Sequence, residues 1–139
     1  MRNELEERIL NVLDAHKIGV MASVKNKFPH ARYMTFFHKG LTLYTATLDT
    51  LPKIDEIARN PHVCILIGYE GEQVKSAFIE FNGRVVIEEN EAIIEEIWEK
   101  LDSEWLDKTQ AGFKVLKIIP EEIRIFDLPA EEPDVLDLI

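Results

Sequence analysis

Cysteine, long hydrophobic runs and an apolar leader are scarce or missing in this sequence. Cys64 is the only cysteine, which excludes an intramolecular disulfide and a four-cysteine zinc site. It lies in the apolar run 63–67, where a cysteine is usually a small buried hydrophobe. No run reaches the length of a membrane span, and residues 1–7 are charged where a secretory signal would be apolar. We therefore expect a cytoplasmic protein with no membrane partner.

Basic residues are also in short supply. The chain has 16 Lys and Arg against 26 Asp and Glu, a formal net charge of −10 at pH 7. Nucleic-acid backbones require clustered cations, so we expect no nucleic-acid partner. The few cations are concentrated, because residues 23–53 hold five of them with one acid, whereas residues 88–107 hold nine acids and one base. A basic segment in an acidic chain suits a small anionic ligand, although scattered surface charge would give the same count.

Several common site motifs are absent as well. The six glycines form neither G-x-G-x-x-G nor a phosphate-binding P-loop, which argues against the common dinucleotide and nucleoside triphosphate folds. No serine stands in a G-x-S-x-G context, so acyl transfer has no support. The histidines show no metal-binding spacing, and we predict no metal site; they are His16, His30, His38 and His62.

The hydrophobic pattern predicts strands framed by helices. At 139 residues and 46% hydrophobic composition, we expect one domain over residues 1–139, ending in an acidic tail at 129–139. The fold class is mainly β: about six antiparallel strands in a small β-barrel with peripheral helices. The predicted helices are 3–16, one from Thr50 to Asn60 and one after Asn90; the predicted strands are 18–24, 32–38, 41–46, 63–69, 77–87 (with a bulge at Gly83), 113–119 and 123–128.

One group of residues within segment 32–53 is a candidate anion-binding site. If the strands 32–38 and 41–46 are neighbours, Arg32, Tyr44 and Thr45 come close together. Lys53 would lie in the first turn of the helix that Thr50 caps. An arginine fork, an ammonium, a hydroxyl and the free N–H groups of a helix N-terminus together suit a phosphate monoester. The alternative is an ordinary hairpin with surface charges.

The same segments resemble a known family. The phrases PHARYMTFF, LTLYT, TLPK and ARNPHV are similar in order and spacing to the flavin-binding split-barrel family related to pyridoxamine 5′-phosphate oxidase, and most similar to its general stress protein branch. The resemblance continues through LIGYEGE and VLKIIPEEIRIF, nearly the whole chain. It implies a homodimer of six-stranded antiparallel barrels with FMN in clefts at the dimer interface; FAD or a deazaflavin is the alternative cofactor.

Individual site residues follow from the resemblance by position. Arg32 matches the family's phosphate-binding arginine, and the predicted cofactor-binding set is Arg32, Tyr33, Met34, Thr35, Tyr44, Thr45, Thr50 and Lys53. Three positions depart from the oxidase. Pro52 stands where the oxidase has an arginine, Phe37 where it has a lysine for the substrate phosphate, and Phe78 near its flavin-contacting glutamine.

These departures shape the functional expectation. The sequence predicts a flavin-binding protein and an FMN-dependent oxidoreductase that lacks activity on pyridoxamine phosphate. Flavin would perform the hydride or electron transfer, and we assign no catalytic residue. Two alternatives stay open: a non-catalytic flavin-binding protein of the stress response, and a member of the same fold that binds a deazaflavin or haem.

Overall fold

A computed structural model describes residues 2–48, 59–68, 77–101, 113–127 and 132–139. The predicted helix from Thr50 to Asn60 lies almost wholly outside these residues. The helices are α1 (Arg2–Ala15) and α2 (Glu91–Lys100). The strands are β1 (Ile18–Lys25), β2 (Phe28–Thr35), β3 (Phe37–Lys39), β4 (Thr42–Leu48), β5 (His62–Ile67), β6 (Ala77–Ile87), β7 (Phe113–Asp127) and β8 (Asp134–Asp137).

The strands form one antiparallel sheet. The order is β2-β1-β5-β6-β7-β4-β3, and β8 pairs with β7 outside this path. The sheet curls until its two ends approach, and there the Thr45 hydroxyl donates a hydrogen bond of 2.7 Å to the carbonyl of Thr35. The molecule is a split barrel, mainly β, as the sequence predicts.

The strand number differs from the expected six. The predicted strand 32–38 divides into β2 and β3 at Phe36, whose N–H bonds the carbonyl of Lys17 at 2.6 Å instead of a ladder partner. The acidic tail adds β8, which is held through buried Leu136. In the other direction, the two predicted strands around Pro120 are one 15-residue strand, β7.

Pro120 fits in this long strand because its neighbours change there. β4 pairs with β7 up to Ile118, and β8 pairs with it from Glu122 onward. On the other side Pro120 lies opposite Gly83, where the β6–β7 register shifts as the sequence predicts. A proline lacks an N–H donor and is tolerated at such an irregularity. A Cβ on Gly83 would lie 2.5 Å from the Ile119 carbonyl oxygen, so the crossing requires glycine.

The apolar side chains form two separate cores. The larger one fills the barrel and includes Ile9, Val12 and Leu13 from α1. The smaller one lies under α2, where Ile97 packs on Phe37, Tyr44 and Val115. The predicted start of α2 is confirmed, because the Asn90 side chain accepts bonds from the N–H groups of Ala92 and Ile93. Among the described residues, no helix has the length and apolarity needed to span a bilayer.

The glycine at the β6–β7 bulge gives a stability prediction. Gly83→Ala should lower the free energy of unfolding by about 1–3 kcal/mol, because the added methyl group meets backbone that cannot move aside. Urea denaturation followed by circular dichroism measures the change. Gly40→Asn is the control, since Gly40 has φ +57° with open space around it, a conformation that asparagine tolerates. Equal stability of Gly83→Ala and the control would contradict this account.

Candidate ligand site at the barrel seam

The barrel is left split where β2 and β4 meet, and we call this junction the seam. Every strand pair around the sheet is antiparallel, so β4 runs opposite to β2. From the Thr35–Thr45 contact, β4 therefore runs toward the level of Arg32. The seam consists of the inward-facing side chains of the two strands with the β1 residue behind them: Arg32, Met34, Thr45, Thr47 and Ser23.

Arg32 is the cation of the seam. It lies half-buried on the inward side of β2, and its Nη2 donates to the Ser23 hydroxyl at 3.2 Å. Ser23 itself is buried, as is Nη1 of the guanidinium. A guanidinium held in this way presents a planar fork of N–H donors that matches the paired oxygens of an anion. The arrangement is therefore suited to an anionic group entering the seam.

The two threonines of β4 have different roles. The Thr45 hydroxyl gives its proton to the Thr35 carbonyl, so it fastens the seam and does not donate to a ligand. Two residues on, the buried Thr47 Oγ1 has no hydrogen-bond partner within the described part of the chain. A buried hydroxyl without a partner costs about 1–3 kcal/mol, which makes it a donor that a bound oxyanion would satisfy.

The other predicted site residues lie in different places. Met34 joins the barrel core beside Arg32. Tyr33 points outward and is 80% exposed, and Thr35 is exposed as well. Tyr44 lies on the opposite side of β4 from Thr45, in the core under α2. Thr50 and Lys53 fall outside the described residues, so the structure does not place them.

The phenol of Tyr44 lies in an environment that favours its protonated form. Burial raises the pKa of its phenol, and the nearby Glu88 carboxylate raises it further. The expected grouping of Arg32, Tyr44 and Thr45 is thus divided between the two sides of β4: Arg32 and Thr45 face the barrel, and Tyr44 faces α2. The strands 32–38 and 41–46 were expected to be neighbours, and this holds for the end of the first segment, because β3 pairs with β4. β2 does not pair with β4 and meets it at the seam.

Two seam residues, Ser23 and Thr47, escaped the sequence analysis. Strict alternation along β1 places Ser23 on the inward side with Met21, so period-two reading could have found it. The same alternation places Thr47 on the side of Thr45, but the predicted strand 41–46 ends one residue before it.

The outer face of β2, β1 and β5 carries a group of apolar side chains beside polar Thr35 and His62, where a solvated sheet face would be mostly polar. Tyr33, Val20 and Leu66 lie in one row across the three strands. Ile18, Ala22 and Val24 continue the same side of β1. The six residues, which we call the outer apolar face, include no charged side chain, and Ile18, Val24, Tyr33 and Leu66 are exposed. An apolar patch of this kind marks a contact surface.

Cys64 is not a candidate nucleophile. It is half-buried on β5, and burial raises the pKa of its thiol, with a further contribution from Glu80. The reactive thiolate is therefore disfavoured. Within the described ranges, no three His, Cys, Asp or Glu side chains come together as a metal site would require.

Phe37 and Phe78 are the two departures that the structure places. Phe37 is buried under α2. Phe78 stacks on Phe126 of β7, with ring centroids 4.8 Å apart and an interplanar angle of 10°. Both rings are committed to packing.

Solved structures of low sequence identity share the fold. The FMN-binding, pyridoxamine 5′-phosphate oxidase-related protein of Nostoc punctiforme is 13% identical with a TM-score of 0.67, covering 95% of this chain and 86% of its own. A FAD-binding protein of Mesorhizobium loti is 15% identical with a TM-score of 0.66, covering 86% and 91%. A heme-binding protein of Mycobacterium smegmatis is 15% identical with a TM-score of 0.81, covering 95% and 57%. At these identities the likeness establishes architecture alone.

Closer relatives establish the family. The family model described as pyridoxamine 5′-phosphate oxidase matches residues 5–127. General stress protein 26 of Bacillus subtilis is 38% identical over 138 residues, 99% of each chain. A Listeria innocua structure named for the same oxidase is 52% identical with a TM-score of 0.79, covering 88% of this chain and 98% of its own. General stress protein 26 of Bacillus anthracis is 31% identical with a TM-score of 0.82, covering 96% and 98%. The chain belongs to the pyridoxamine 5′-phosphate oxidase family.

Proposed function

We propose that this protein binds FMN as a homodimer and acts as an FMN-dependent oxidoreductase in the cytoplasm. The observation that carries the proposal is the half-buried Arg32 in the seam, bonded to buried Ser23. In a fold whose relatives include a protein named for FMN binding, this cation is the group best suited to a flavin phosphate.

The residues at the seam fit a phosphate. Arg32 supplies a planar fork that matches two phosphate oxygens. The Thr47 hydroxyl offers a neutral donor that is already out of water. Thr45, which the resemblance includes among the ligands, holds the seam closed through Thr35 instead. Its contribution is to fix the distance between the two strands that grip the ligand.

Bound FMN would supply the hydride or electron transfer. The chain's own residues would hold and orient it: Arg32 fixes the phosphate, and exposed Tyr33 offers an aromatic surface beside the seam. Tyr44, buried on the other side of β4 under α2, is not positioned as a proton donor at the seam. The protein's role in catalysis is therefore binding and orientation.

Activity on pyridoxamine phosphate is not part of the proposal. Phe37 occupies the position of the oxidase's substrate-phosphate lysine and is buried under α2. Phe78 is stacked on Phe126 and offers no amide to a flavin. Neither ring provides the polar contact that a phosphorylated substrate or a flavin edge needs.

The second copy in the proposal covers the outer apolar face. The chain carries a net charge of −10, so two whole copies repel each other, and a contact surface without charge adds no further repulsion. The six residues of the outer apolar face are all uncharged. Two-fold pairing places this face against itself and builds a cleft beside Tyr33, outside a barrel interior that side chains already fill.

A non-catalytic flavin-binding role is the second candidate. It is favoured by the names of the relatives in Bacillus subtilis and Bacillus anthracis, which are general stress proteins. The absorption spectrum of the purified protein separates flavin from deazaflavin and haem. Reduction of the bound flavin by a nicotinamide donor, followed by turnover with an electron acceptor, separates an enzyme from a carrier.

The phosphate contact predicts a preference among flavins. FMN should bind at least about ten-fold more tightly than riboflavin, because a charge-assisted hydrogen bond contributes about 1.5–3 kcal/mol. Quenching of flavin fluorescence during titration gives both dissociation constants. FAD, titrated in the same way, tests the alternative cofactor. Equal affinities for FMN and riboflavin would remove the phosphate from the proposal.

Arg32 itself gives a sharper prediction. Arg32→Ala should weaken FMN binding about ten-fold or more and leave riboflavin binding nearly unchanged. Arg32→Lys should recover part of the loss, because an ammonium cannot reproduce the fork. Arg124→Ala is the matched control, since Arg124 lies on β7 and pairs with Glu122 at 2.7 Å, away from the seam. Wild-type FMN affinity in Arg32→Ala, with an intact fold by circular dichroism, would refute the role.

The dimer can be tested through the outer apolar face. Light scattering should give twice the chain mass of 16.1 kDa. Val20→Glu places like charges across the two-fold axis and should yield monomers with impaired FMN binding. Val135→Glu is the control, because it is the same substitution at an exposed valine that lies on β8 outside this face. A monomeric wild-type protein that binds FMN stoichiometrically would overturn the shared site.

A further inference from the structure

A cleft lies where the end of α1 meets β3 and the end of α2. Its volume is about 510 Å³, within the range of small-molecule sites. The lining residues are Asp14, Lys17, Phe37, His38 and Lys100. None of them belongs to the seam or to the outer apolar face, although Phe37 stands at the position of the oxidase's substrate-phosphate lysine and lies opposite Tyr44 in the β3–β4 ladder.

Asp14, the acid among the described lining residues, is already engaged. Asp14 Oδ1 lies 2.6 Å from His38 Nε2, and His38 Nδ1 lies 3.0 Å from the carbonyl oxygen of Gly40. The His38 side chain is only 14% exposed. With an oxygen acceptor at each ring nitrogen, the imidazole is fixed in place and directs the Asp14 carboxylate toward itself. Asp14 and His38 therefore line the cleft as a hydrogen-bonded pair.

The two lysines are less committed. Within the part of the chain that the structure describes, no carboxylate lies within 4.0 Å of Lys17 Nζ. The Lys17 backbone is anchored, since its carbonyl accepts from the Phe36 N–H at 2.6 Å. Lys100 Nζ lies 3.5 Å from one oxygen of Glu96, whose other oxygen takes the closer bond, 2.8 Å, from Lys39.

The Glu96 carboxylate thus interacts more strongly with Lys39 than with Lys100. The hydrogen bond from Lys39 is the main reason that the pKa of Glu96 is lowered, and Lys100 contributes less. Two ammonium groups consequently face a cleft in which, among the residues that the structure describes, the only lining carboxylate is Asp14, which bonds His38. The field in the cleft favours an anion, although the protein as a whole is strongly acidic.

Phe37 decides what kind of anion fits. Its ring is mostly covered by α2, and the remaining edge forms an apolar part of the lining. An inorganic anion would leave that surface unused, whereas an aromatic acid would pair its ring with Phe37 and its carboxylate with a lysine. We propose that this cleft is a binding site for small aromatic carboxylates.

Benzoate tests the proposal, with benzyl alcohol as a neutral ligand of the same size. Each is titrated into the purified ¹⁵N-labelled protein, with whatever cofactor it carries, and amide shifts are followed by NMR. Benzoate should shift resonances of Lys17, Phe37 and Lys100 with a dissociation constant of about 1 mM, as expected of a fragment-sized ligand. Benzyl alcohol should bind at least about five-fold more weakly. Equal affinity of the two ligands, or shifts located elsewhere, would overturn the assignment.

Charge variants give an independent test. Lys17→Gln and Lys100→Gln should each weaken benzoate binding about three-fold, and Asp14→Asn should strengthen it by removing the one negative charge. Lys25→Gln, on β1 outside the cleft, is the control. Unchanged benzoate affinity in both cleft lysine variants would refute the site. FMN affinity is measured on the same samples and should not change, so failure of flavin binding and failure of this cleft are separate results.

Discussion

The structure depends on one closing contact, the hydrogen bond from Thr45 to the Thr35 carbonyl. A curled sheet with ends that do not pair along a ladder leaves two rows of backbone groups facing each other. The bond holds these ends together at Thr35 and Thr45. From there toward Arg32, β2 and β4 do not pair through a backbone ladder. The split is what gives a filled barrel a place for a charged group, because the barrel interior itself is packed with apolar side chains.

Local signals in the sequence predicted much of the fold. α1, β1, β5, β6 and the Asn90 cap follow from periodicity and capping chemistry, and Gly83 marked its bulge correctly. The errors occurred where distant contacts override local preference. Pro120 predicted the end of a strand, yet β7 continues through it. The pairing with β4 ends before Pro120, the pairing with β8 begins after it, and the register with β6 shifts at Gly83.

The candidate site was predictable to a smaller extent. Arg32 could be identified from its residue type and the resemblance, and the structure adds its bond to Ser23. The side of β4 on which Tyr44 lies could not be read from the segment LTLYT, because strand alternation fixes relative and not absolute orientation. Packing of α2 on Phe37 and Tyr44 decides it. Thr47 lies one residue past the predicted strand 41–46, and its place at the seam depends on barrel closure.

The outer apolar face also determines how association would respond to ionic strength. An interface held by ion pairs weakens as salt is added, because counterions screen the attraction. This face carries no charge, while the remainder of the chain gives each copy its net charge of −10. Screening would therefore act only on the repulsion between whole copies. Added salt would therefore favour pairing of the two chains. This dimer would be most stable at high ionic strength, where a dimer held by ion pairs is least stable.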